Sequence, residues 1–200
     1  MAAYRVHVLK EGYATPAGPG MQHADGTITL VAGAHNILVD TGGPQDGDAI
    51  MRALHAEGLR TEDIDHVVCT HGHCDHVGNL GLFPHATLIV SYDVCDGDLY
   101  RQHEFARGEP YVIDDGVEVI ATPGHTREDV SVVVRTAEGV YVIAGDLFEC
   151  EQDLDDEALW RSSSEDPRAQ AESRARILRL ADFIVPGHGP TFRTSEARGA

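Results

Sequence analysis

Lysine is almost missing from this sequence. Lys10 is the single lysine among 15 basic residues, and 33 acidic residues give a formal net charge of −18 at pH 7. So acidic a surface repels polyanions unless a local basic patch or a bound metal overrides the charge. The composition therefore disfavours nucleic acid as a partner, without excluding it, and favours a small-molecule substrate.

Long apolar runs are missing as well. A helix that crosses a bilayer needs about 20 mostly apolar residues in a row, and no run here approaches that length. The start of the chain, MAAYRVHVLKEGY, lacks the apolar core of a secretory signal. We therefore expect a cytoplasmic protein with no membrane partner. A length of 200 residues with 42% hydrophobic residues predicts one domain over residues 1–200, frayed after about residue 190.

Cysteine is scarce, and its positions do not form the CxxC pair of a zinc knuckle. A chain with this apolar content can build a core without disulfides, and the missing export signal argues against them. We predict that Cys69, Cys74, Cys95 and Cys150 are free thiols. Cys69 lies in an apolar run and is expected in the core, whereas Cys74 is expected to be more exposed.

Short apolar runs, several with two-residue alternation, predict β-strands. They cover residues 4–9, 27–32, 37–40, 66–69, 87–90, 117–121, 131–134 and 140–144. Strands with helices returning at intervals predict a layered α/β (α+β) fold with mixed sheets. Residues 91–110 are expected to form a surface loop, and the acidic run 146–157 a solvated face, Asp146 excepted.

Helical patterns are fewer. Ile50 and Leu54 share one side of a helix predicted over 46–58. A second helix is predicted over 166–180, because Asp166 is a good N-cap and a proline follows at the first helical position. Residues 76–82 are expected to form a short helix.

The most distinctive stretch is 70-THGHCDHVGN-79, which holds three histidines and an aspartate within six residues: His71, His73, Asp75 and His76. A loop after the strand 66–69 can turn several ring nitrogens inward, whereas a helix would spread them over different faces. Zinc binds histidine nitrogen and carboxylate oxygen at about 2.0–2.2 Å. Four such neighbours cannot comfortably meet one ion, so we expect parts of two adjacent metal sites.

Three further candidate ligands follow apolar strands, each beside a glycine that permits an abrupt turn. They are His125 in 122-TPGHT-126, Asp146 in 144-AGDLF-148 and His188 in 185-VPGHGP-190. Loops at one edge of a sheet scaffold can converge while the strands hold them rigid. Ligands of this type suit two divalent ions, with zinc as the prediction and iron or manganese as alternatives.

The motif HxHxDH at residues 71–76, with ILVDTGG, TPGHT, AGD and PGHG, resembles the metallo-β-lactamase superfamily from about residue 40 to residue 188. The resemblance implies a four-layer αββα sandwich with metals at one edge of the two sheets. It also implies three roles: His71, His73 and His125 would hold the first metal, Asp75, His76 and His188 the second, and Asp146 would bridge them. Asp40 would be a buried acid that orients the ligand loop without binding metal.

THGHxDHVGNLGLFP, SEDPRAQAESR and VPGHGPTFR are similar to a narrower, glyoxalase-II-like group, the small metallo-β-lactamase domain-containing proteins. That group includes an animal member linked to histone pre-mRNA 3′ cleavage. The chain of 200 residues has no room for the inserted domain of large RNA-processing members and lacks the helical domain with which glyoxalase II holds glutathione. The first difference weakens the prediction of an RNA substrate, and the second weakens that of a glutathione thioester.

We therefore predict a metal-dependent hydrolase in which a hydroxide bridging two metal ions attacks a small ester, thioester or lactone. Asp75 is the predicted catalytic residue, because it can bind metal, orient the hydroxide and serve the leaving group. A metal-dependent endoribonuclease is the main alternative; a mononuclear iron dioxygenase and a non-catalytic metal-binding protein also stay open. Arg127, Tyr100 and Arg101 are the candidate substrate contacts, and segment 149–165 could cap the site or form a homodimer contact.

Overall fold

The computed structural model describes residues 3–194, which form mostly short strands with few helices. The strands are β1 (Arg5–Lys10), β2 (Tyr13–Gly18), β3 (Met21–Asp25), β4 (Ile28–Ala32), β5 (Asn36–Val39), β6 (His66–Cys69), β7 (Thr87–Val90), β8 (Asp93–Asp96), β9 (Leu99–Arg101), β10 (Tyr111–Asp114), β11 (Val117–Ala121), β12 (Val130–Arg135), β13 (Val140–Gly145), β14 (Phe183–Pro186) and β15 (Phe192–Arg193). The α-helices are α1 (Gly47–Ala56), α2 (Ala158–Arg161) and α3 (Pro167–Leu180). Short 3₁₀ helices lie at Pro44–Asp46, Thr61–Asp63, Leu80–Leu82, Phe105–Arg107 and Glu151–Leu154.

Two mixed sheets carry the architecture. The first has the order β1-β4-β5-β6-β7-β8-β9 and the second the order β10-β11-β12-β13-β14-β15. Pairs β5–β6, β6–β7 and β13–β14 are parallel, and the other pairs in these sheets are antiparallel. Strands β2 and β3 form a separate two-stranded hairpin.

Three apolar clusters separate the four layers: one lies between the two sheets, and one lies between each sheet and the helix on its outer face. Alternate residues of the central strands face opposite sides, so Val31 and Ile37 lie between the sheets while Leu30 and Leu38 face α1. Ile177 of α3 packs in the cluster on the outer face of the second sheet. The predicted αββα arrangement is confirmed, and burial on both faces explains why these strands read as continuous apolar runs.

Both predicted long helices are confirmed. Ile50 and Leu54 are the buried residues of α1. The Asp166 side chain caps α3 by accepting from the backbone N–H groups of Arg168 and Ala169. The expected helix at 76–82 is reduced to a 3₁₀ turn at Leu80–Leu82.

The prediction of a surface loop over residues 91–110 is wrong in part. Strands β8 and β9 extend the first sheet through this segment. Val94, Cys95 and Phe105 are buried, because they pack against the edge of the core rather than face solvent. The segment thus contains a hairpin, β8–β9, at the edge of the first sheet, with Val94 and Cys95 as its buried residues.

Two expectations about polar segments also need correction. The acidic run 146–157 is not uniformly solvated, because Asp153 is 0% exposed and pairs with Arg174. The tail expected to fray after residue 190 is ordered at β15, which pairs with β14. Residues 195–200 lie outside the described part of the chain.

The thiol prediction is confirmed: all four cysteines are free, with Cys69 buried and Cys74 exposed. Among the described residues, no helix combines the length and apolarity needed to cross a membrane.

Candidate metal centre

The predicted ligands follow strand ends that share one edge of the sandwich. Strands β5 and β6 are parallel and end just before Asp40 and the 70–76 loop. Strands β11 and β13 run in the same direction, since both are antiparallel to β12, and β14 is parallel to β13. The carboxyl ends of these strands deliver His125, Asp146 and His188 to the 70–76 loop.

The first group of facing atoms belongs to His71, His73, His125 and Asp146. Nδ1 of His73 lies 2.8 Å from Nε2 of His71 and 3.1 Å from Nε2 of His125. Oδ2 of Asp146 lies 3.6 Å and 3.4 Å from the same two Nε2 atoms. Ligands about 2.0–2.1 Å from a tetrahedral zinc ion stand roughly 3.3 Å from one another, so these separations suit a single ion.

The second group contains Asp75, His76 and His188. Oδ2 of Asp75 lies 3.8 Å from Nε2 of His188 and 4.0 Å from Nε2 of His76. Asp146 borders this group too, with Oδ1 3.2 Å from Nε2 of His76 and Oδ2 3.2 Å from Nε2 of His188. One carboxylate therefore contacts both groups.

Hydrogen bonds fix the tautomers of three histidines. Nδ1 of His76 lies 2.8 Å from Oδ2 of Asp40, and Nδ1 of His188 lies 3.1 Å from the backbone carbonyl of Asp25. Both acceptors lack a proton, so Nδ1–H donates in each ring, and in the neutral ring Nε2 keeps its lone pair for a metal. Thr70 Oγ1 donates to Asp40 and so accepts from Nδ1 of His71 at 3.2 Å, which leaves Nε2 of His71 free as well.

The residues present fit a divalent cation. Nε2 of His71 faces Nδ1 of His73, and the Nε2 atoms of His76 and His188 face the Asp146 carboxylate, so positive charge between the two sides would stabilise the arrangement. Nε2 of His76, Nδ1 of His125 and Oδ1 of Asp146 are buried without a hydrogen-bond partner. Nitrogen and oxygen donors of this kind are the ligands that zinc, iron and manganese accept.

Burial and neighbouring charges also shift the pKa values of four ligand histidines and of Asp146. Burial lowers the pKa of His71 and of His125, and neighbouring histidines add to the effect for both. Burial also acts to lower the pKa of His76 and of His188, but the neighbouring carboxylates, Asp146 foremost, together have the larger effect. The pKa of His76 is therefore raised, and the pKa of His188 is raised to about 9. Burial opposes ionisation of Asp146, yet His76 and His71 hold its pKa well below the usual range.

Two glycines allow the close approach of the ligand loops. Gly145 has a φ of 54°, which a residue with a side chain rarely adopts, and a Cβ there would strike Thr70. A Cβ on Gly187 would strike the Asp146 carboxylate. The motifs AGD and PGHG therefore place a glycine beside the ligand for a steric reason.

Asp40 connects the 70–76 loop to strand β5. It is 1% exposed, and its carboxylate accepts hydrogen bonds from the Thr70 backbone N–H and from His76. Its φ of 60° is unusual for a non-glycine residue, and the bond from its N–H to the Val68 carbonyl stabilises this conformation. The geometry is that of a carboxylate that orients a ligating histidine.

Replacing Asp40 with asparagine is expected to lower metal affinity by about 10–100-fold. An amide NH₂ facing Nδ1 of His76 favours the wrong tautomer, with the proton on Nε2. Competition with a chromophoric chelator measures the affinity, and Asp115→Asn, at an exposed position, is the matched control. Equal affinity in Asp40→Asn and parent would show that Asp40 does not orient His76.

A cavity of about 370 Å³ opens onto the ligand groups, a volume suited to a small molecule. Its lining contains these residues: Gln22, Ala24, His73, Cys74, Asp75, His125, Asp146, Glu149, Ser163 and His188. The side chain of Asp75 is 24% exposed, so it is open to both a second-group ion and a substrate.

The three predicted substrate contacts do not line this cavity. The Arg127 side chain is 88% exposed and points to Glu165, 4.0 Å away. Tyr100 and Arg101 belong to β9, the edge strand of the first sheet, where Arg101 pairs with Asp96. Arg127 is close to TPGHT in the sequence, yet its side chain faces solvent and not the cavity.

Sequence reasoning missed Glu149, Gln22 and Ser163. Glu149 lies three residues after Asp146 on the same loop, and its Oε1 accepts a hydrogen bond of 2.8 Å from the Ser163 hydroxyl. Burial and the charge of Asp146 raise the pKa of Glu149 to about 7. Its place within an acidic run that was expected to be solvated hid it, whereas Gln22 comes from a hairpin that no apolar pattern marks.

Known proteins with similar sequences belong to a family named for metal-dependent enzymes. A family model described as the metallo-beta-lactamase superfamily matches residues 24–94. Metallo-beta-lactamase domain-containing protein 1 of Xenopus laevis is 50% identical over 193 residues, covering 95% of this chain and 82% of that protein. The human protein of the same name is 47% identical over 221 residues, with coverage of 95% and 82%.

The fold also matches a solved structure of an N-acyl homoserine lactone hydrolase with the product N-hexanoyl-L-homoserine bound at its catalytic metal centre. The TM-score is 0.70 with 18% identity, and 94% of each chain is covered. At 18% sequence identity, this similarity shows a shared fold and nothing about the substrate.

Proposed function

The chain belongs to the metallo-β-lactamase superfamily of metal-dependent hydrolases, and we propose that it uses two divalent ions, zinc foremost, to hydrolyse a small ester, thioester or lactone. One observation carries the proposal. The buried carboxylate of Asp146 lies 3.2–3.6 Å from ligand nitrogens of both groups. That position suits an acid shared by two neighbouring ions, which is the arrangement of a two-metal site.

Two ions bound here would polarise the scissile carbonyl and supply a hydroxide nucleophile at neutral pH. His71, His73 and His125 would hold the first ion, and Asp75, His76 and His188 the second. Asp75 lines the cavity with a side chain that is 24% exposed, so its carboxylate can orient the attacking water and carry a proton towards the leaving group. Asp40 keeps His76 in the tautomer that binds metal.

Removal of metal is expected to reduce hydrolysis of phenyl hexanoate, S-phenyl thiohexanoate and γ-hexalactone to the rate in buffer. Activity should return with zinc or manganese, and the restored protein should contain about two ions per chain. The measurements are initial rates and elemental analysis of chelated and reloaded protein. His188→Ala should not regain full activity, whereas His85→Ala, at an exposed position, should behave like the parent.

Full activity after chelation contradicts the proposal. The same preparations also test the alternatives. Metal that binds without turnover of any substrate favours a non-catalytic metal-binding protein, and one iron per chain with oxygen-dependent activity favours a dioxygenase. Metal-dependent cleavage of single-stranded RNA at low salt favours a ribonuclease, although the described cavity lining contains no lysine or arginine to bind phosphates.

A further inference from the structure

The cavity at the ligand groups continues into a groove of about 340 Å³. The residues that line both are Gln22, Glu149, Ser163 and His188. One wall of the groove is the β2–β3 hairpin, through Ala14, Thr15 and Pro16. A molecule attacked at the ligand groups can therefore extend into the groove without a break.

The opposite wall comes from the segment that leads into α2 and from α2 itself. It contains Cys150, Ala158, Leu159 and Ser162. Leu159 is 45% exposed, so its side chain leaves apolar surface on this wall for a ligand. The groove is thus lined mainly by small, uncharged or apolar groups.

Glu149 lies where cavity and groove meet. Its side chain is 16% exposed, and its carboxylate oxygens lie 3.9 Å from Nδ1 of His125 and from Nε2 of His188. No lysine or arginine belongs to either described lining. Arg161, on the same helix as Leu159, pairs with Glu157 at 2.7 Å and stays outside the groove.

Building on the proposed function, we propose that Glu149 selects substrates whose acyl part is uncharged, and that the groove between the β2–β3 hairpin and α2 receives that part. An anionic group at the far end of the acyl chain would lie in the groove, away from the scissile carbonyl that the two ions would polarise. It would pass Glu149, and neither lining offers a lysine or arginine to pair with it. Two like charges in a partly buried site repel by enough to change affinity roughly tenfold or more. An alkyl chain instead removes the apolar surface of Leu159 from water.

The test compares ligands of equal length with and without a terminal carboxylate. N-phenylhexanamide and N-phenyladipamic acid report binding by calorimetry, while phenyl hexanoate and monophenyl adipate report kcat/KM. Metal-loaded protein is used at pH 8.5, where carboxylic acids are ordinarily ionised. The parent should prefer the uncharged member of each pair by about tenfold or more.

In Glu149→Gln the preference should fall to within about threefold, since the repelling charge is gone. Asp155→Asn, which removes an exposed acid of the same run, should keep the parent ratio. Leu159→Lys places a cation on the groove wall at an exposed position and should shift the preference towards the carboxylate-bearing ligand. This variant tests the groove even if Glu149→Gln folds poorly.

An unchanged ratio in both Glu149→Gln and Leu159→Lys overturns the inference, as does a parent that binds neither amide. Loss of metal from Glu149→Gln overturns it too, because Glu149 would then be a ligand. The proposed function fails separately: the amides would bind with the expected ratio while neither ester is hydrolysed faster than in buffer. Hydrolysis of both esters at equal rates would leave the proposed function intact and remove the selectivity.

Discussion

Replacing Asp146 with asparagine is expected to lower kcat/KM by at least about 100-fold, the scale on which metal-orienting groups and charge-stabilising groups act. Asparagine keeps the shape of the side chain but loses the charge that lies between the two ligand groups. Its amide nitrogen would also point an N–H at one of the Nε2 atoms that now face a carboxylate oxygen. Initial rates and elemental analysis should show that activity and bound metal are lost together.

Asp155→Asn is the matched control for this change. Asp155 lies in the same acidic run, is exposed and does not line the cavity, so its replacement should leave rates and metal content unchanged. Circular dichroism of metal-free Asp146→Asn should match that of the metal-free parent. Two ions per chain and parent-like rates in Asp146→Asn would contradict the shared-carboxylate arrangement.

The strands and the ligand loops could be predicted because burial on both faces leaves a plain sequence signal. Val67 and Val68 face different apolar clusters, so β6 reads as an apolar run that ends where the ligand loop begins. The same holds for β13, whose end carries Asp146. A ligand directly after such a run must lie at the edge of its sheet, which places it without knowledge of the tertiary structure.

The walls of the cavity could not be predicted in the same way. Most of the β2–β3 hairpin is exposed, so no alternation of apolar and polar residues marks it. Pro16, Gly18 and Gly20 in this segment would ordinarily indicate a loop. Its strands form because they pair with each other, and that pairing has no signature in side-chain polarity.

The acidic run after β13 shows how tertiary contacts decide the role of identical side chains. Asp153 and Asp155 are two residues apart, yet Asp153 is buried and Asp155 exposed. Their difference comes from Arg174, which lies on α3 and reaches the loop only in the folded chain. Composition could show an acidic segment but not which acid would meet an arginine.

That ion pair fixes the loop that carries Asp146 and Glu149. Two nitrogens of Arg174 donate to the Asp153 carboxylate at 2.6 and 2.9 Å, and the guanidinium also donates to the Leu147 carbonyl at 2.8 Å. The guanidinium stacks on Phe148 at 4.2 Å from the ring centroid. Asp153 in turn accepts from the backbone N–H of Glu149 at 2.8 Å.

Asp153→Ala is therefore expected to lower the free energy of unfolding by about 3–5 kcal/mol, because it leaves Arg174 buried without its partner. Urea unfolding of metal-free protein measures the change by its midpoint and slope. Selectivity against the carboxylate-bearing ligand should weaken as well, since Glu149 loses a backbone anchor. The exposed pair Arg168–Glu172 is the matched control, and Glu172→Ala should cost less than about 0.5 kcal/mol.

Asp153→Leu combined with Arg174→Met separates the cost of an unpaired charge from the worth of the pair. Replacing both partners with apolar side chains leaves no buried charge, so the double variant should recover most of the stability lost in Asp153→Ala. A double variant as unstable as Asp153→Ala would show instead that the hydrogen bonds to Leu147 and Glu149 hold the loop. In that case the network, rather than the desolvated guanidinium, accounts for the loss.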